Sequence, residues 1–554
     1  MLLKDERRAE SEKELMQREG SLMQADCPRR PQPFAWPYPP FLGFAPLDVW
    51  FRLLFRPRAI IPFRYWPRVA VGLLLSMAVT VLTLPERLAL ALYLRLRGRA
   101  LDRRPGPVFI LGYYRSGTTF LQFLLNCDPN LYSPRWSQTF SPQGFYLSWT
   151  FLRFFLTPFY STARPQDDVA FGPDVPAEDD FALCNGALVS SLVGRHVLPR
   201  LRGFYDRFHD LKRLAPDEYT RWRRCQIGFI RKLALLAGGR RILLKTPSHT
   251  ARLEELAELF GMSAGGPRFI HISREPRAVV RSNLGLHRAL NPVLHLQDPI
   301  SDEEQESRTV AEYLATEQSY LAARSHVPAG WLAEIRLEDL HADPLRELRR
   351  VYAELGMPFT EVFGRRVLEY LDVTRDYKPN AHPLGDEERL RRLEPQLAPL
   401  VKAFHHDAPA IPKVTPPPPA DMAPGHRQAR LLTAGLFAAF TGLLCMAGWL
   451  VLVFLTGLRL DQLVWPAGIA VGLVTLHVAR RGSQGLGFWS ALWAVLTQLG
   501  AAFLTTWLLA HPAGADFMDL GWNTVYALGS IHVLFWTFMG TATAYRLASK
   551  PFIY

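Results

Sequence analysis

Gly112 and Gly117 enclose the turn Tyr113-Tyr114-Arg115-Ser116, and Thr118 and Thr119 follow at once. The apolar run Val108 to Leu111 before them reads as a strand, so the chain passes from strand through a glycine-bounded turn into a helix. Backbone N–H groups in such a turn, with the uncapped N–H groups of a helix start, bind anionic oxygens. A nucleotide-hydrolysing loop follows its second glycine with a lysine for the β- and γ-phosphates and a hydroxyl for Mg²⁺. Here Thr118 takes the lysine's place and the cation, Arg115, lies inside the turn. The stretch is built for a phosphate-like ligand other than ATP.

Two further stretches repeat the pattern of a strand ending in charge. In PRFIHISREPRAVVRSNL, from Pro267 to Leu284, the strand ends at Ser273-Arg274-Glu275-Pro276, and the next helix carries Ser282, eight residues after Arg274. In LLKTPSH, from Leu243 to His249, the strand ends at Lys245. Separately, a surface arginine, a helical serine and a solvated lysine are ordinary. Together, at strand ends where α/β sheets bind ligands, they describe a site.

These motifs resemble those of sulfotransferases that use 3′-phosphoadenosine 5′-phosphosulfate (PAPS). The segment Tyr114-Arg115-Ser116-Gly117-Thr118-Thr119 is similar to the family's 5′-phosphosulfate loop, Pro-Lys/Arg-Ser-Gly-Thr-Thr, with Tyr114 in place of proline. Arg274 and Ser282 match its 3′-phosphate motif. Lys245 matches the lysine before x-Pro found in protein-tyrosine sulfotransferases and many bacterial members, where it helps neutralise the transferring sulfonate. Lys378, in YKPNAH, is similar to a late loop closing over the nucleotide. The resemblance implies a PAPS co-substrate, in-line transfer without a covalent enzyme intermediate, and no metal. Arg115 and Lys245 form the expected electrostatic pair.

The base that accepts the acceptor's proton is not marked by a motif. Residues 128 to 150 contain no Glu or His, so the candidates lie later: Glu178 in the acidic group Glu178-Asp179-Asp180, then His249. A helix-start role for the acids and a capping or solvated role for His249 are the alternatives. Glu338, Asp339 and Asp343 read as turn and cap acids. The aromatic run FYLSWTFLRFFLTPFY, from Phe145 to Tyr160, reads as core or as the lining of a hydrophobic acceptor groove.

The elements that position these residues follow from periodicity. Short apolar strands at Val108 to Leu111, Arg241 to Leu244, Phe269 to Ile272 and Ala333 to Leu337 alternate with amphipathic helical stretches, which predicts an α/β fold with a P-loop-type parallel sheet flanked by helices over 104–411. A proline-rich link, 412–426, leads to an α-helical transmembrane region over 427–554, with apolar runs at Leu431 to Leu458, Leu463 to Val478, Phe488 to Ala510 and Tyr526 to Tyr545. Arg427, Arg430, Arg480, Arg481, Arg546 and Lys550 all fall on one side of these runs, which places 1–426 in the cytoplasm under a multi-pass cell-membrane topology. Before the α/β region, 1–68 reads as a charged cytoplasmic segment. The run 69–97, with arginines on both flanks and Pro85 inside, reads as a re-entrant or in-plane helix pair, with a conventional span as the alternative.

The net charge of +13 suggests an anionic partner. Its gathering beside apolar segments points to a membrane instead of nucleic acid. The five cysteines have no CxxC spacing, which argues for a reducing compartment and against a zinc site. The expected activity is transfer of a sulfonate to a hydroxyl or amine of a lipid-like or other amphiphilic acceptor. The alternatives are a soluble metabolite or glycan as acceptor, or a nucleotide-binding membrane scaffold without catalysis.

Overall fold

The computed structural model describes residues 42–101, 104–148, 171–375, 387–414, 424–479, 482–510 and 528–549, with a few single positions between them. Lys378, most of the aromatic run after Ser148 and most of the proline-rich link lie outside the described residues.

Strands β1 (Val108–Leu111), β2 (Leu131–Tyr132), β3 (Arg241–Lys245), β4 (Arg268–Ser273) and β5 (Leu332–Arg336) form a parallel sheet in the order β2-β3-β1-β4-β5. The expected strands are present; the two-residue β2 was too short to leave a pattern. Alternation along each strand sends Phe109, Leu111, Leu244 and Phe269 into one core and Val108, Ile110, Leu243 and Ile270 into the other. With both faces covered, the strands read as unbroken apolar runs. In register, Phe109 lies beside Leu244 on one side and Phe269 on the other, so all three expected site strands end at the same edge of the sheet.

The run around Pro85, expected as a helix pair kinked at the proline, is a single helix, Trp66–Leu101. Proline removes one backbone hydrogen bond and costs about 3 kcal/mol in a helix interior. Contacts from residues on either side, Thr83 Oγ1 to Val79 O (2.7 Å) and Glu86 to the backbone of Tyr146 (2.7 Å), hold the helix through it.

Helices Pro424–Thr456, Val464–Ala479, Gln484–Ala510 and Ile531–Ala548 pack together as the C-terminal bundle. Glycines permit close backbone approach: a Cβ on Gly468 would lie 2.2 Å from Gly540 O. Among the described residues, four helices are long and apolar enough to cross a membrane: Phe63–Gly98, Leu431–Thr456, Asp461–Ala479 and Gln484–Leu509. Of the last expected run, Tyr526 and Ala527 lie outside the described residues; its helix Ile531–Ala548 is not among the four.

Candidate functional site

The turn after β1 owes its shape to its glycines. Gly112 has φ +136°, and a Cβ there would sit 2.4 Å from Ile272 O of β4. Gly117 has φ +97°, with Leu337 Cδ1 2.5 Å from the corresponding point. Arg115 itself lies at φ 71°, a left-handed conformation uncommon outside glycine. Gly112 N donates to Thr250 Oγ1 (2.7 Å) and Ser116 N to Tyr113 O (3.2 Å). Helix Thr118–Leu125 then starts without a side-chain cap, so its first N–H groups face the turn with no intrahelical partner.

The second motif meets the first directly. Glu275 caps helix Pro276–Leu294, accepting from Arg277 N (2.9 Å) and Ala278 N (2.7 Å), with Pro276 at the first helical position. This sets Ser282 one side of the helix against the loop, where Arg115 Nε donates to its Oγ at 2.9 Å. Arg274 Nη1 donates to Arg115 O at 3.1 Å, and Asn283 Nδ2 to Tyr114 O at 2.7 Å. Burial and the neighbouring Arg115 push the Arg274 guanidinium below its ordinary pKa. Two arginines and the Ser282 hydroxyl thus meet at a turn rich in N–H donors, a set suited to phosphate oxygens.

On the other side of β1, Lys245 at the end of β3 is buried and donates to Thr119 Oγ1 (3.3 Å) and Glu178 Oε1 (2.6 Å). Glu178 is partly exposed, with 16% of its side chain accessible. His249 is fully buried, edge-on to Phe109, and its Nε2 lies 2.9 Å from Asp179 Oδ2. No surface of His249 is left for an acceptor hydroxyl. Asp179 also accepts from Thr246 Oγ1 (3.0 Å) and Gln226 Nε2 (3.0 Å), and makes no helix cap. Burial alone would raise its pKa; His249 and these donors bring it down to about 2. Asp180 receives Arg252 Nη1 (3.1 Å) and Ser190 Oγ (2.5 Å). The acidic group is therefore a structural core of two anions with one carboxylate, Glu178, turned toward Lys245.

Arg195 carries no motif and escapes sequence reasoning. Its guanidinium stacks 3.9 Å over the Tyr114 ring, is paired with Glu312 and lies 3.2 Å from His287 Nε2. The tyrosine that replaces the loop's proline is so fixed from behind by a buried cation. The acids expected in turns divide: Asp343 caps its helix through Arg346 N (3.0 Å), Asp339 pairs with Arg336 (2.7 Å), and Glu338 accepts Glu275 N (3.0 Å). Among the described residues, no group of His, Cys, Asp and Glu has the arrangement of a metal site.

Residues 107–361 match the profile of the sulfotransferase family. Over 356 residues the chain is 30% identical to the omega-hydroxy-beta-dihydromenaquinone-9 sulfotransferase Stf3 of Mycobacterium bovis, covering 64% of this chain and 88% of that protein. The Mycobacterium tuberculosis protein of the same name matches to the same extent. Among solved structures, the sulfotransferase STF1 from Mycobacterium tuberculosis is similar with a TM-score of 0.46 and 16% identity, over 64% of this chain and 91% of that one.

Proposed function

The chain belongs to the sulfotransferase family, and from that membership we propose a membrane-bound enzyme that moves a sulfonate from PAPS to a hydroxyl of an amphiphilic acceptor. The observation that carries the donor assignment is the contact between two motifs distant in sequence: Arg115 to Ser282 at 2.9 Å, and Arg274 to the Arg115 carbonyl at 3.1 Å. ATP offers no 3′-phosphate to such a second anion site. The loop, with Tyr114, Arg115, Ser116, Gly117, Thr118 and Thr119, takes the 5′-phosphosulfate. Arg274 and Ser282 take the 3′-phosphate.

In the reaction the acceptor oxygen forms a bond to sulfur as the bond from sulfur to the phosphate oxygen breaks, and adenosine 3′,5′-bisphosphate departs. Glu178 receives the acceptor proton. Lys245 and Arg115 stabilise charge on the sulfonyl and bridging oxygens. Asp179, His249 and Thr246 are positioning residues that hold the strand end from which Lys245 projects. An amphiphilic acceptor accords with the apolar helices of this chain and with the quinone-derived acceptor in the relatives' names. The arginine distribution supports a multi-pass arrangement with the α/β domain and C-terminus in the cytoplasm.

Two measurements test this. Adenosine 3′,5′-bisphosphate should raise the thermal midpoint of the purified protein while ATP leaves it unchanged; preference for ATP would overturn the donor assignment. With isotopic sulfate, cells containing the protein should gain a labelled species in the lipid fraction. A new label confined to the aqueous fraction would overturn the acceptor class and leave the donor assignment standing.

A further inference from the structure

We infer that helix Trp66–Leu101 lies in the plane of the bilayer surface, as the face by which the α/β domain docks on anionic lipid, and does not cross the membrane. Its polarity is inside out for a helix on a water-soluble domain. The face turned to the protein carries Ser76, Thr80, Thr83 and Glu86, whose partners are Ala45 O, Leu47 N (3.0 Å), Val79 O and the backbone of 146–148. The opposite face exposes Leu74 (64%), Val81 (67%), Leu88 (65%) and Leu96 (72%). Phe55 (81%) and Phe63 (89%), which precede the helix in sequence, are exposed as well. A stripe of this size in water is an unsatisfied interface. In hydrocarbon it is the expected outer face, with polar groups bonded inward.

Length and composition alone permit a crossing, yet the contacts do not. The helix is held to the domain from one end to the other: Arg68 Nη2 donates to Pro292 O (2.8 Å), Glu86 accepts from Ser148 N (2.8 Å), and a Cβ on Gly98 would lie 3.7 Å from Arg231. From Arg68 to Gly98 that is about 45 Å of helix, whereas a crossing immerses about 20 consecutive residues. Any such window inside this stretch contains Thr80 and Glu86 and would drag the segments bonded to them, Leu47 and 146–148, into hydrocarbon. Lying flat, the helix immerses its outer face by roughly 5–10 Å and leaves the domain in water.

Charge identifies the partner surface. Glu86 is the acid of this helix, and its carboxylate is engaged by the 146–148 backbone and the Ser148 hydroxyl (2.8 Å). Exposed Arg58 precedes the stripe, with Arg64 paired to Asp298 beside it, and exposed Arg95 and Arg97 end it. Cations at both ends suit a flat helix against anionic headgroups.

The full chain, reconstituted in phosphatidylcholine–phosphatidylglycerol vesicles, tests this with single added cysteines at exposed positions, read above the signal of the parent chain. Arg58→Cys and Arg97→Cys should react with a membrane-impermeant maleimide to the same extent before vesicle lysis. A fluorophore on Leu74→Cys or Leu88→Cys should be quenched by lipid nitroxides at one shared, shallow depth. Complementary labelling of the two arginine positions, one inside and one outside, would overturn the inference in favour of a crossing. Absence of quenching at both leucine positions would overturn it in favour of a water-facing helix.

Discussion

In the proposed reaction Glu178 and Lys245 divide the chemistry of one ion pair, and that division predicts how substitutions behave. Glu178→Gln keeps the shape and a hydrogen-bond acceptor for Lys245 while removing the proton acceptor. The turnover number should fall by about 10²-fold or more, with stabilisation by adenosine 3′,5′-bisphosphate retained. Equal loss of donor binding would instead make Glu178 a donor-site residue. Asp179 has a different signature, in stability. Its folded-state pKa of about 2 lies below the ordinary 3.8, so its contribution is complete above about pH 4 and is lost as pH falls through about 2. Asp179→Asn should remove on the order of 2 kcal/mol at neutral pH and flatten the acid limb of stability between those values, measured by denaturation across pH. Sequence reading located Glu178 and His249 by their residue types, since these are what a base requires. It ranked Glu178 before His249 without sight of their accessibility, because burial of His249 behind Asp179 arises from helix packing that leaves no local trace.

At the scale of elements, the candidate site was readable because Arg115, Lys245 and Arg274 sit at or just after strand ends, and strand ends are written locally in the change from apolar to charged residues. The glycines were equally readable as a turn, but their neighbours were not. Gly117 faces Leu337, a residue from the far edge of the sheet, and Gly112 faces the β4 backbone. Gly117→Ala should therefore suffer twice, from its positive φ and from the 2.5 Å approach to Leu337, and lose about 1–3 kcal/mol together with donor affinity. Adding Leu337→Ala relieves the clash and leaves the backbone strain. The double variant should recover part of the donor-induced rise in thermal midpoint; full recovery would mean that φ at Gly117 carries no strain. The unbroken helix through Pro85 marks where local reading failed. Proline is a strong local signal for a break, and the contacts that overrule it come from residues 146–148, distant in the chain.

At the scale of the whole molecule, the proposed attachment to the membrane is double, through two unlike surfaces. The C-terminal bundle is held by close glycine contacts, such as Gly468 on Gly540, and is joined to the α/β domain through the proline-rich link. The helix Trp66–Leu101 provides the second attachment, on the domain side of that link. A chain with one attachment would come free when the link is cut; a chain with two would not. With a protease site inserted within 415–420 of the full chain in anionic vesicles, the N-terminal fragment should remain with the membranes after cleavage. Because apolar area and arginine charge both contribute, high salt should release a part of it and detergent all of it. The proposed acceptor in the lipid fraction should still be labelled after the cut, since the docked helix keeps the α/β domain on the membrane. Recovery of the whole fragment in the soluble phase at low salt would leave the bundle as the sole anchor.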